Sequence, residues 1–215
     1  MNYIENIYIC LTAPLVIAVI CVPSRGRRMM LFLLSGMTAC LLSSYISTFI
    51  AAYYQADLLT ASFTIAPLVE EIMKLLPILF YLLVFEPGKE EISGYVIMVA
   101  IGFATFENTC YLIQNGAANI LHLLIRGFET GALHVICGFI ISIGILFLWD
   151  QLWLRIAGIF GLLAAAVTVH GIYNTLVSQG ENLALVGYLI PLVTAIFIAT
   201  LRTHFFLRKK PSLRS

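Results

Sequence analysis

Charge is what this chain has least of. Asp, Glu, Lys and Arg make up 11% of its 215 residues, against about 25% in an ordinary soluble domain. So few charges cannot clothe a globule of this size in water-facing groups, which excludes a soluble enzyme. The formal net charge of +1 sets up no field that would attract nucleic acid, and none is expected as a partner. Low-complexity tracts and long polar linkers are missing, so a disordered or fibrous chain is excluded. The five cysteines, Cys10, Cys21, Cys40, Cys110 and Cys137, form no C-x-x-C pair and no disulfide framework, and read as small buried hydrophobes. There are only two aspartates, Asp57 and Asp150, both outside the apolar runs, so an intramembrane aspartyl dyad is excluded. Neither G-x-S-x-G nor H-E-x-x-H occurs, and Cys137 and Ser142 are disfavoured as nucleophiles.

What is present is apolar sequence, 61% hydrophobic. Short polar punctuation divides it into stretches at 3–22, 30–54, 62–85, 92–114, 131–149, 156–177 and 184–203. Each has the ~20 residues a membrane span needs. The expected fold is all-α: one polytopic membrane bundle of about seven helices forming a single domain over 1–215. Residues 115–130 are too polar to span and read as an interfacial or re-entrant connection. The first stretch has no basic flank (Glu5 is its only charge) and reads as a retained anchor, not a cleaved signal. No internal repeat is visible, which weakens an inverted-repeat transporter.

Loop charge sets the expected orientation. Ten of the Lys and Arg residues fall on one side (Arg25, Arg27, Arg28, Lys89, Arg155, Arg202, Arg208, Lys209, Lys210 and Arg214), and only Arg126 falls on the other. Positive charge stays inside, so the N-terminus is expected outside and the basic C-terminus in the cytoplasm.

Ionisable residues within the spans carry the functional information, because each costs roughly 2.5–3.5 kcal/mol at mid-helix on insertion scales. The third stretch contains Glu70-Glu71-x-x-Lys74, with Glu70 and Lys74 four apart and so expected to pair. Glu107 follows in the fourth, His134 in the fifth, and His170-x-x-x-Asn174 in the sixth. Counted from the outer ends at 1.5 Å per residue, Glu70, Glu71, Glu107 and His170 all lie roughly 10–13 Å deep, with His134 nearer its end. Any one of them could be a helix–helix clamp, but clamps arising independently would scatter in depth. His122 and His204 sit in a connection and at a helix end. Glu129 and Asp150 read as loop or helix-end charges, and Glu86, Glu90 and Glu91 as a solvated run. A carboxylate in such a place can activate water, His and Asn N–H groups can meet an oxyanion, and Glu with His can hold Zn²⁺.

These elements, together with Gly102-Phe103-Ala104-Thr105-Phe106-Glu107-Asn108, Leu133-His134 and His170-Gly171-x-Tyr173-Asn174, resemble the ordered motifs of the PrsW family of intramembrane proteases, relatives of the CAAX prenyl endopeptidases. The resemblance covers most of the chain. It implies a hydrolase of the bacterial plasma membrane that makes the first, extracytoplasmic cut in a single-pass substrate such as an anti-sigma factor, within a stress response. It also implies that Glu70, Glu71, Glu107, His134 and His170 are the catalytic set. Glu70 or Glu71 would be the base, Lys74 a support, and His170 with Asn174 the oxyanion site. If a metal such as zinc is used, its ligands would come from Glu71, Glu107, His134 and His170. Some relatives have Asp at the position of Asn174, which favours an oxyanion role there over a metal-ligand role. The alternatives are a proton- or cation-coupled carrier using the same groups as a relay, and a CAAX-type endopeptidase or immunity protein.

Overall fold

The computed structural model describes residues 4–86, 88–116, 119–179 and 181–208, and for Arg25, Lys89, Glu90, Glu181, Asn182, Ala199 and 201–208 the backbone alone. Among the described residues the architecture is all-helical. We number the helices α1 (Ile4–Cys21), α2 (Ser24–Tyr53), α3 (58–85), α4 (Lys89–Asn115), α5 (Ile120–Leu148), α6 (Leu152–Ser178) and α7 (Glu181–Arg208). The connections are a few residues long, so consecutive helices run antiparallel. The turns after α2, α4 and α6 therefore lie at one end of the bundle, and those after α1, α3 and α5 at the other. Of the ten basic residues assigned to one side, Lys209, Lys210 and Arg214 lie outside the described residues.

Among the described residues, five segments are long and apolar enough to cross a membrane unaided: Ile4–Cys21, Gly26–Tyr53, Glu91–Asn115, Ile120–Leu148 and Leu152–Ser178. The third helix falls short of that standard because it carries Glu70, Glu71 and Lys74, and α7 contributes the shorter apolar run Leu183–Ile198. Phe80, Phe147, Trp153 and Phe160 are exposed on the outside, as expected of side chains that face lipid.

The bundle closes where glycine removes a side chain. A Cβ on Gly102 of α4 would lie 2.0 Å from the Leu33 carbonyl oxygen of α2, and one on Gly36 of α2 would lie 2.1 Å from that of Val99. The two helices therefore touch backbone to backbone, as small residues permit in membrane bundles. Around this contact pack Met37, Phe103 and Phe106, each nearly or fully buried. A second cluster joins Ile78, Val99, Leu133, Cys137, Ile145 and Tyr173 across α3 to α6.

Two sequence expectations need correction here. The stretch 120–130 is not a separate interfacial or re-entrant segment; it is the first three turns of α5, a helix of 29 residues. Asn119 explains the early start, since its side-chain oxygen accepts from the amides of Leu121 (3.0 Å) and His122 (3.2 Å), capping the helix. Of its polar side chains, Glu129 and Thr130 are buried, Arg126 is half-buried against Glu107 and the Tyr111 ring, and the exposed His122 meets the Tyr111 hydroxyl. Helix α3 also starts early, at Leu58. Asp57 caps it, its carboxylate accepting from the Thr60 amide at 2.7 Å, and the Thr60 contacts hold this carboxyl below its ordinary range.

The entry to α3 is irregular. After Leu58–Thr60 the chain takes a π-helical turn, Ala61–Ile65, before settling into Ala66–Phe85. In that register Ala66 N–H bonds to Ala61 O, and the next donor in line for Ser62 O would be residue 67. Pro67 has no N–H, so Ser62 O is left without an intrahelical partner. A π-turn of this kind is frequent at functional sites. Pro77 lies within the α-helix Ala66–Phe85.

Candidate active site

Glu70, Glu71 and Lys74 come from α3, Glu107 from α4, His134 from α5 and His170 from α6, and they meet in one cluster. Glu71 is its anchor and is fully buried. Its Oε1 accepts from Lys74 Nζ at 2.6 Å and lies 2.8 Å from His170 Nδ1. Lys74 reaches on to His134 Nδ1 at 2.9 Å. An ammonium can only donate, so His134 Nδ1 accepts, and the ring proton sits on Nε2, which donates to Glu107 Oε2 at 2.6 Å. Glu107 Oε1 is 3.4 Å from Arg126. The two imidazoles meet edge to face with centroids 5.3 Å apart. Phe103 packs on His134 and sits under the Lys74 ammonium at 4.9 Å.

The Oε2 atoms of Glu70 and Glu71 are both buried without a hydrogen-bond partner. Glu70 differs in that Lys74 pairs with Glu71 instead, while Glu70 Oε2 lies 3.6 Å from His170 Nε2. Beside the cluster, a cavity of about 270 Å³ is lined by Glu107, Arg126, His134, His170, Tyr173 and Asn174, among others, and by Leu58 to Phe63 of the irregular turn. It lies toward the end of the bundle that carries the α2–α3, α4–α5 and α6–α7 turns, the end with little basic charge.

The structure brings all five expected catalytic residues together but redistributes their tasks. Lys74 pairs with Glu71, three residues back, and not with Glu70. The i to i+4 spacing made the Glu70 pairing reasonable, but Lys74 turns toward the His134 nitrogen on α5, and Glu71 faces the same way. Asn174 donates from Nδ2 to Ser62 O at 2.9 Å, supplying the bond that Pro67 cannot make. Gly171 admits the same turn: a Cβ there would lie 2.8 Å from Phe63 O. The motif on α6 thus binds the entry of α3 as well as forming the site.

Glu129 was not expected. It is not a loop charge but is 1% exposed within α5, and its Oε1 accepts from the Tyr173 hydroxyl at 2.8 Å. The pair sits about one turn from His134 and His170, nearer the end with little basic charge. The signal available in the sequence was an ionisable residue, Glu129, five before His134, with Tyr173 three after His170 on the same helix face. It was hidden because residues 115–130 read as a connection. His122 also lies within α5, 3.2 Å from the Tyr111 hydroxyl. Cys137 and Ser142 are buried, with Cys137 Sγ donating weakly to Ala166 O at 3.6 Å.

Whether the cluster suits a metal depends on its donors. Ligand atoms of Glu70, His134 and His170 lie within 4.8 Å of one another, a His₂Glu set of the kind that holds catalytic zinc with a position left open. The partnerless Glu70 oxygen fits such an ion. So does His170, whose Nδ1–H can rest on Glu71 while Nε2 points to the site, as metal-bound histidines are usually oriented. The set differs from the expected one: Glu70 joins the histidines in place of Glu71 and Glu107. Glu71 holds Lys74 and His170 through its Oε1, and Glu107 holds His134 and Arg126.

The family model described as PrsW family intramembrane metalloprotease matches residues 24–201. Comparison with the curated proteins and with solved structures gave no significant match.

Proposed function

The chain belongs to the PrsW family of intramembrane proteases, and from that membership we propose that it cuts a single-pass membrane protein near the outer face of a bacterial plasma membrane, with Glu70 as the base. The carrying observation is the Glu70 carboxylate, whose partnerless Oε2 lies 3.6 Å from the Nε2 of cavity-lining His170, whereas the Lys74 ammonium and His170 Nδ1 both meet Glu71 through its Oε1. Glu70 takes a proton from water as the oxygen attacks the scissile carbonyl, and returns it to the leaving amine. Asn174 spends one Nδ2 hydrogen on Ser62 O and keeps the other for the developing oxyanion, where His170 assists when its Nε2 carries a proton. Glu107 and Lys74 hold His134 from either side. The regulator class that suits such a cut is an anti-sigma factor.

A second mechanism is favoured by the close approach of Glu70, His134 and His170. A divalent ion such as Zn²⁺ held there would acidify a water and polarise the carbonyl. If His134 bound it through Nε2, the ring proton would move to Nδ1, against the Lys74 ammonium, and Lys74 would have to turn wholly to Glu71.

The test compares new N-termini in membranes from cells carrying the wild type, Glu70→Gln or His170→Ala. Termini just outside a single transmembrane segment, present with the wild type and lost in both variants, are expected. Retention in both variants overturns the site. Termini on the cytoplasmic side overturn the orientation and favour a CAAX-type role. Metal analysis of the purified protein, with activity after chelation, separates the two mechanisms. The base-only reading expects no stoichiometric ion and unchanged cleavage.

A further inference from the structure

A second cavity, of about 290 Å³, opens between α5, α6 and α7. Its lining carries no charged side chain: Ile136 comes from α5, Ile172 and Leu176 from α6, and Ile190, Pro191 and Thr194 from α7. Leu133 and Tyr173 line this cavity and the polar one alike, so the two are neighbours with a common wall. That wall is built from the residues adjacent to the catalytic histidines: Leu133 precedes His134, and Tyr173 lies three after His170. The Tyr173 hydroxyl is held by Glu129, which fixes the ring between the two spaces.

We propose that this cavity is a specificity subsite for one bulky apolar side chain of the substrate, on the membrane side of the scissile bond. The inference rests on the membrane-anchored substrate proposed above. A peptide cut where a transmembrane segment meets water has a polar flank and an apolar flank, and the structure offers one charged and one uncharged cavity side by side. Size agrees, since a dry cavity of about 150 Å³ already holds benzene. Helix α7 is built to admit such a residue. Gly187 is buried, and a Cβ there would lie 3.0 Å from Val177 Cγ2, so α7 rests closely on α6 at that point. Four residues on, Pro191 cannot bond to the Gly187 carbonyl, which loosens α7 where it forms the cavity wall.

The experiment maps membrane-protein termini in cells carrying the wild type, Glu70→Gln, Ile172→Trp or Thr194→Trp. The two Trp variants fill the cavity from different helices, and each is first checked for wild-type expression and melting. Wild-type cut sites are expected to carry Leu, Met or Phe at one fixed position on the membrane side. The Trp variants should process those sites at least tenfold more slowly and shift preference to Ala, Gly or Ser there. The subsite is overturned if both Trp variants cut the wild-type sites within twofold of the wild-type rate. That result together with loss of a co-purifying phospholipid would assign the cavity to an acyl chain. If the wild type and Glu70→Gln give identical termini, the proposed proteolysis itself fails and the subsite falls with it.

Discussion

Replacing Lys74 with Met tests whether the cluster is held by its buried charges. Lys74 is 6% exposed and Glu71 fully buried, and their charged atoms are 2.6 Å apart. At an effective dielectric of about 20, two unit charges at that distance attract by about 6 kcal/mol, much of which offsets the cost of taking them out of water. Lys74→Met deletes the attraction and leaves the desolvation of Glu71 in place, so a loss of about 3–5 kcal/mol is expected. It also takes the Lys74 donor away from His134 Nδ1, so the imidazole can turn over and release Glu107. Removing both charges, in Glu71→Gln with Lys74→Met, leaves no uncompensated ion, and the amide can still accept from His170 Nδ1. The double variant should therefore recover at least half of the stability lost by Lys74→Met, a coupling that a double-mutant cycle reads directly. Reversible unfolding in a fixed detergent micelle supplies the four stabilities. Additive losses, or a Lys74→Met protein within about 1 kcal/mol of the wild type, would refute an anchoring ion pair.

Gly102→Ala should lower the melting temperature sharply, because its methyl would meet the Leu33 carbonyl; overpacking typically costs about 1–3 kcal/mol. Gly127→Ala, with nothing within 4 Å of the new carbon, should melt like the wild type, and equal effects would dismiss the α2–α4 contact. Asn174→Ala strands the Ser62 carbonyl, at about 1–3 kcal/mol for a buried group, so amide exchange over residues 58–65 should quicken while that of α4 stays unchanged. In a cysteine-free background, Asn119→Cys should react with an impermeant maleimide added to intact cells and Gln151→Cys only after lysis; the reverse pattern inverts the bundle.

The fold class was legible because the bilayer imposes it: long apolar runs with ten basic residues on one side and one on the other permit little else. The seven ionisable or amide groups of the site were equally legible, since a polar group within an apolar run is conspicuous. Residues 120–130 were misread for the same reason. Their polarity looked incompatible with a span, and only the packed bundle shows Glu129 accepting from the Tyr173 hydroxyl of another helix. Pairing within the motif also escaped sequence spacing. On one helix, Lys74 can reach Glu70 or Glu71 about equally well, and the choice falls to His134, sixty residues away.

Composition and periodicity thus determine by themselves that this chain is a membrane bundle and which ionisable side chains stand within its spans, because each residue's transfer cost is local. The tertiary structure alone decides which carboxylate pairs with Lys74, and why Asn174 is needed at the π-turn. It also decides that an uncharged cavity stands beside the charged one. Those outcomes depend on directions and distances between helices, and no single segment encodes them.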